Sequence, residues 1–134
     1  MMELSNDLFV GVKKIDEQHQ ELVNRINAVT SMGLKAASKA EIQKTLDLLS
    51  EYIVEHFKDE EALQEQSGYP KLEEHKLMHK AYIARINELK KEFAANGPSP
   101  RFSLSLSESV ISWIVKHIKF ADADFGRFYN SNKC

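Results

Sequence analysis

Four stretches of this chain place apolar residues at alternating steps of three and four, the spacing of a helix that packs one face against other helices. The first stripe reads Ile15, His19, Leu22, Ile26 and Val29. The second reads Ile42, Leu46, Leu49, Ile53, His56, Glu60 and Leu63. The third reads Leu72, His75, His79, Tyr82, Ile86, Leu89 and Phe93, and the fourth Leu106, Val110, Trp113, His117 and Phe120. No stretch alternates with period two, and β-branched residues are not clustered, so strands are not expected. Breaks fall between the stripes. Gly68-Tyr69-Pro70 has the form of a C-cap glycine followed by a first-turn proline. Asn96-Gly97-Pro98-Ser99-Pro100 is the strongest interruption. Ser38-Lys39-Ala40-Glu41 and Ser105-Leu106-Ser107-Glu108 fit the capping box, and Asp16 can cap the first helix. The expected helices are 16–36, 39–66, 70–95 and 104–120. Their short connections favour antiparallel neighbours, hence an all-α, up-down-up-down four-helix bundle. One domain is expected over 1–134, with an arm at 1–15, the bundle at 16–122 and a tail at 123–134.

Composition narrows the function classes. Of the 134 residues, 43% are apolar, enough to bury an interior without cross-links. The formal net charge of −2 lacks the basic excess of a nucleic-acid binder. The single cysteine, Cys134, permits no disulfide within the chain and points to a reducing compartment. No secretory signal is visible at residues 1–7, and no apolar run reaches transmembrane length. The expectation is a soluble, cytoplasmic protein with no membrane partner, and its neutral surface suits a monomer.

All five histidines stand on the stripes, where leucine would normally be. One histidine on an apolar face is usually a hydrogen-bonded core residue. Five on four facing helices, with Glu60 on the same stripe, are not. A buried carboxylate needs a countercharge, and the stripes offer it no Arg or Lys. A metal cation would supply charge to Glu60 and an acceptor for imidazole lone pairs. His56 and Glu60 are four apart, as are His75 and His79, so each pair projects from one face. His117 and Asp122 are five apart, roughly 140° on an ideal helix. The fourth helix is therefore expected to end or unwind near Ala121, letting Asp122 swing back. Five imidazoles and two carboxylates are too many for one zinc. The H-E-x-x-H motif is absent, and no histidine has a glutamate three residues before it. Two first-row ions sharing both carboxylates fit; iron suits these ligands, with manganese open. Seven protein ligands plus one solvent bridge then leave one of the two ions a donor short of six.

The motifs Ile15-Asp16-Glu17-Gln18-His19, His56-Phe57-x-x-Glu60-Glu61, Gly68-Tyr69-Pro70, His75-x₃-His79 and Trp113-x₃-His117-Ile118-x₃-Asp122 occur in that order. Together they resemble the hemerythrins, most of all the single-domain bacterial members, the bacteriohemerythrins. The resemblance runs from about Asp7 to Phe128. It implies that His75, His79 and His117 hold a coordinatively saturated iron, and His19 and His56 a five-coordinate one. Glu60 and Asp122 would bridge the two Fe ions together with an oxo or hydroxo group. O₂ would bind reversibly at the open iron, beside the apolar Leu22, Phe57, Trp113, Ile114 and Ile118, for transport or storage rather than catalysis. The alternatives are sensing of oxygen or iron through a partner protein, and reduction of peroxide or nitric oxide at the same centre. Two positions depart from the pattern. Leu4 stands where bacterial relatives often carry Trp, and Gln64 where many carry Met.

Overall fold

The computed structural model describes residues 9–34, 38–97 and 99–131. Leu4, Cys134, most of the expected arm and the last residues of the expected first helix lie outside them. Three helices, α1 (Lys13–Leu34), α2 (Lys39–Ser67) and α3 (Leu72–Asn96), precede a helical rod over 100–131, here α4. It comprises Pro100–Leu106, a π turn at Ser107–Ile111, Ser112–Lys116, a second π turn at His117–Asp122, and Ala123–Ser131.

Cross-helix pairs give the directions. Between α1 and α2, Gln18 meets Asp59 while Arg25 meets Leu48. Between α2 and α3, Glu61 meets His79 while Lys39 meets Ala94. Between α3 and α4, Tyr82 meets Val110 while Phe93 meets Phe102. His19 meets Asp122, and Gly11, just before α1, meets Asn130, which closes the ring. In every pair one number rises as the other falls, so the four helices form the antiparallel up-down-up-down bundle. No helix among the described residues is long and apolar enough to cross a membrane.

The helix ends follow local chemistry. Ser38 Oγ accepts the Glu41 N–H at 3.2 Å and starts α2. Gly68, at φ 71°, ends it, and the Tyr69 N–H reaches back to the Gln64 carbonyl at 2.9 Å. Pro70 lies in the turn before α3 rather than in its first turn. Asp16 is not a cap. α1 begins three residues earlier, and the Asp16 carboxylate turns back to accept the N–H groups of Val10 (2.8 Å) and Gly11 (3.2 Å). α4 likewise starts earlier than expected, at Pro100, where Ser99 Oγ accepts the Phe102 N–H at 3.0 Å. The capping box at Ser105–Glu108 is therefore interior. Nor does α4 end near Ala121; it continues through Ser131, so most of the expected tail is helix.

The stripes of α1, α2 and α3 are buried nearly as written. The stripe of α4 is not: Phe120 is 67% exposed. The buried series is instead Leu106, Val110, Ile114, Ile118 and Asp122, in steps of four. Four such steps drift by about 160° around a regular α-helix. The two π turns, each wider than an α turn, absorb that drift and keep the series facing inward.

The segment before α1 packs on the end of α4. Val10 and Val12 are buried, and Asn130 Nδ2 donates to the Gly11 carbonyl at 3.2 Å. Gly126 permits this approach, because a Cβ there would overlap the Val10 carbonyl oxygen. On a free helix surface Gly→Ala stabilises by about 1 kcal/mol. Here Gly126→Ala is expected to destabilise by about 1–3 kcal/mol through overpacking. Urea unfolding measures the sign, and stabilisation would mean that the segment does not rest on α4.

Candidate metal centre

Each helix presents side chains to one level of the bundle, toward the end where α3 begins. α1 brings His19, α2 His56 and Glu60, α3 His75 and His79, and α4 His117 and Asp122, all buried. One potential donor atom from each of Glu60, His75, His79, His117 and Asp122 lies within 4.8 Å of all the others. The same holds for His19, His56, Glu60 and Asp122. The two groups share the two carboxylates. Asp122 joins because the second π turn keeps the rod helical while changing its pitch. The Ala123 N–H bonds to the Ile118 carbonyl five residues back. Residues five apart then share a side, and His117 Nε2 lies 3.0 Å from Asp122 Oδ1.

The cluster has more lone pairs than protons. His117 Nε2 lies 3.1 Å from His75 Nε2 and 3.2 Å from His79 Nε2. His75 Nε2 is also 2.8 Å from Glu60 Oε1 and 2.9 Å from Asp122 Oδ1, and His19 Nε2 is 3.0 Å from Asp122 Oδ2. Yet no carboxylate oxygen of Glu60 or Asp122, and neither His19 Nε2 nor His56 Nε2, has a hydrogen bond of acceptable direction among the described residues. Each such atom left dry costs roughly 1–3 kcal/mol, and more if charged. Cations at the two foci satisfy all of them, and imidazole with carboxylate suits iron. The residues present therefore fit a pair of metal ions.

Without cations the cluster neutralises itself. Burial alone would raise both carboxylates. His117, His19 and His75 instead hold Asp122 well below its usual range, and His75 and His79 lower Glu60. Burial would lower His75, but Asp122 and Glu60 push it up to about 10. His19 is raised against its burial by Asp122, while burial and His19 drive His56 down to about 4.

Outer partners orient the imidazoles. His56 Nδ1 lies 2.7 Å from Gln18 Oε1, and Gln18 Nε2 donates to Asp59 at 2.8 Å. The Gln18 oxygen thus faces the ring, Nδ1 carries the proton, and Nε2 is bare. His79 Nδ1 stands in the same relation to Glu61 Oε2, at 2.7 Å. Phe57 stacks on His79 at 3.7 Å, and Trp113 on His117 at 4.5 Å. Both Gln18 and Glu61 stood inside the sequence motifs, but nothing in their spacing assigned them a role. Of the five residues expected beside the gas site, Leu22, Phe57, Ile114 and Ile118 are buried. Trp113 is half-buried on the three-histidine side, where it lines an open groove of about 550 Å³ with Tyr69, Met78 and Phe120.

Residues 10–129 match the family model described as the hemerythrin HHE cation binding domain. The chain is 31% identical to a bacteriohemerythrin of Stenotrophomonas maltophilia over 121 residues, covering 87% of this chain and 74% of that protein. It is also 31% identical to a bacteriohemerythrin of Methylococcus capsulatus over 114 residues, covering 83% and 82%. A hemerythrin subunit alpha of Lingula reevii is 29% identical over 118 residues, covering 88% and 86%.

Removing the acceptor at His79 with Glu61→Ala is expected to weaken metal binding by about 10–100-fold. Competition with a chelator measures this, and an unchanged affinity would remove Glu61 from the site. The metal-free protein should show a distinct pH response. Protonated His75 favours the fold, an effect present in full below about pH 6.5 and lost as pH rises toward about 10. Unfolding midpoints should fall across that window without metal and stay flat with it, because an imidazole whose Nε2 is coordinated carries no second proton to lose. Parallel curves would contradict the assignment of His75 to the metal.

Proposed function

The chain belongs to the hemerythrin family, whose domain binds a di-iron centre, and on that premise we propose that it binds O₂ reversibly, as a cytoplasmic carrier or store. In this reading His75, His79 and His117 would hold one iron, His19 and His56 would hold the other, and Glu60 and Asp122 would serve both. The observation that carries it is the inequality of the two donor groups, five against four, with both carboxylates shared. One ion would then have fewer protein donors than the other. A ferrous pair held there supplies the two electrons and the open position that reversible O₂ binding needs.

The chain's own residues do the rest. Leu22, Ile114 and Ile118 are fully buried and apolar, and they exclude water and anions that promote autoxidation. None carries a transferable proton, and O–O cleavage would need one. This favours holding O₂ over reducing it. Phe57 and Trp113 keep the rings of His79 and His117 in place by stacking. Gln18 and Glu61 keep protons on the outer nitrogens of His56 and His79, leaving the inner ones free to bind metal.

The test is iron content together with the visible spectrum under argon, under O₂ and under argon again. Two irons per chain and a spectral change that reverses are expected. Fewer than two irons, or a spectrum indifferent to O₂, would overturn the reading. Ile114→Ser should speed autoxidation several-fold, and an unchanged rate would remove Ile114 from the pocket.

A further inference from the structure

Placing two cations at the centre leaves three residues with buried polar atoms still unmatched among the described residues. The cations satisfy His19 Nε2, His56 Nε2 and the oxygens of Glu60 and Asp122, while Gln18 and Glu61 serve the outer nitrogens of His56 and His79. The other buried side-chain atoms without a partner among the described residues are His19 Nδ1, both amide atoms of Gln64, and Gln43 Oε1. Gln43 stands 17 residues before Glu60, about 25 Å along α2, and its amide nitrogen bonds to Asp47. His19 Nδ1 and Gln64 are therefore the unmatched pair near the centre.

Their positions let them meet. Gln64 is fully buried and follows Glu60 by four residues, on the same face of α2. The His19 ring lies against that of His56, with centroids 4.9 Å apart. Gln64 is eight residues beyond His56, about 12 Å of helix. Side chains lean toward the N-terminus of their own helix. In antiparallel α1 and α2, His19 leans toward Ile15 and Gln64 leans back toward Glu60, so the two converge on one layer. No direct bond joins His19 Nδ1 and Gln64 among the described residues, and a single water is the smallest group that can serve both.

We propose that His19 Nδ1 and the Gln64 amide hold a single internal water, and that Gln64 fixes the His19 ring through it. The His19 N–H donates to the water, and the water donates to Gln64 Oε1. His19 Nδ1 and Gln64 Oε1 then each have a partner, and the water has the two polar neighbours that a buried water requires at least. Gln64 is thus a positioning residue for the ion with fewer donors. A methionine at 64 fills the space but anchors no water, and leaves the His19 N–H bare. The inference rests on the ligand assignment proposed above.

The experiment compares wild type with Gln64→Met, both loaded with Zn(II) so that nuclear magnetic resonance is undisturbed by paramagnetism. Chelator competition gives the affinity of each ion, and imidazole ¹⁵N–¹H signals tell which ion is affected. Wild type should bind two zinc ions and show a slowly exchanging His19 Nδ1–H with a cross-peak to a long-lived water. Gln64→Met should lose that cross-peak and weaken the His19–His56 ion by about 10–100-fold, leaving the His75–His79–His117 ion unchanged. An unaltered His19 signal with unaltered affinities would overturn the proposal. So would equal weakening of both ions, which marks a general packing defect. Fewer than two zinc ions on wild type would instead sink the ligand assignment, and the inference with it.

Discussion

Two carboxylates in the dry middle of an apolar bundle set the terms for everything around them. Glu60 and Asp122 expose essentially no surface, and among the described residues no lysine or arginine pairs with them. Ionised, they require positive charge at close range; neutral, they would leave five imidazoles without a purpose. Cations at the two foci would resolve the conflict and would also tie α1, α2, α3 and α4 together at one level. Metal binding is then part of folding, since the donors converge only when all four helices are in place. An ordinary apolar layer of Ile26, Leu49, Ile86 and Val110 lies on one side of that level and shields it from water there.

The difference between the two ions follows from simple counting. Three helices contribute two donors each, and α1 contributes one. With two donors shared, five histidines cannot divide equally. The helix that gives one donor carries His19, whose outer nitrogen has no direct partner among the described residues, whereas His56 and His79 are each held from behind. The least complete half of the centre is thus also the one whose ligand is least firmly fixed by direct bonds.

Much of this was legible in the chain itself. The three-four stripes gave the number and direction of the helices, because a buried face imposes its own period. The histidines betrayed the site, because nothing apolar explains an imidazole repeated at leucine positions. What stayed hidden had physical causes. A stripe read with fixed α periodicity put Phe120 inward and left Asp122 to a helix break, since a π turn costs one residue and leaves no compositional mark. Asp16 looked like a cap because a carboxylate near a helix start serves backbone N–H groups either way. The roles of Gln18 and Glu61 depend on which helix face meets which, and spacing within one helix does not encode that.

The second π turn separates the integrity of the bundle from that of its centre. A regular α-helix through 117–122 would be no less stable as backbone and would still bury Val110 and Ile114 against the same neighbours. It would, however, turn Asp122 away from His117 and strip both foci of a shared oxygen. The capacity to hold metal is therefore written partly in the length of a segment and not only in the identity of its side chains. Gaining one residue between the two ligands would set them on different sides of the rod in an α or a π turn alike, and would erase the chemistry while every ligand remained in the chain.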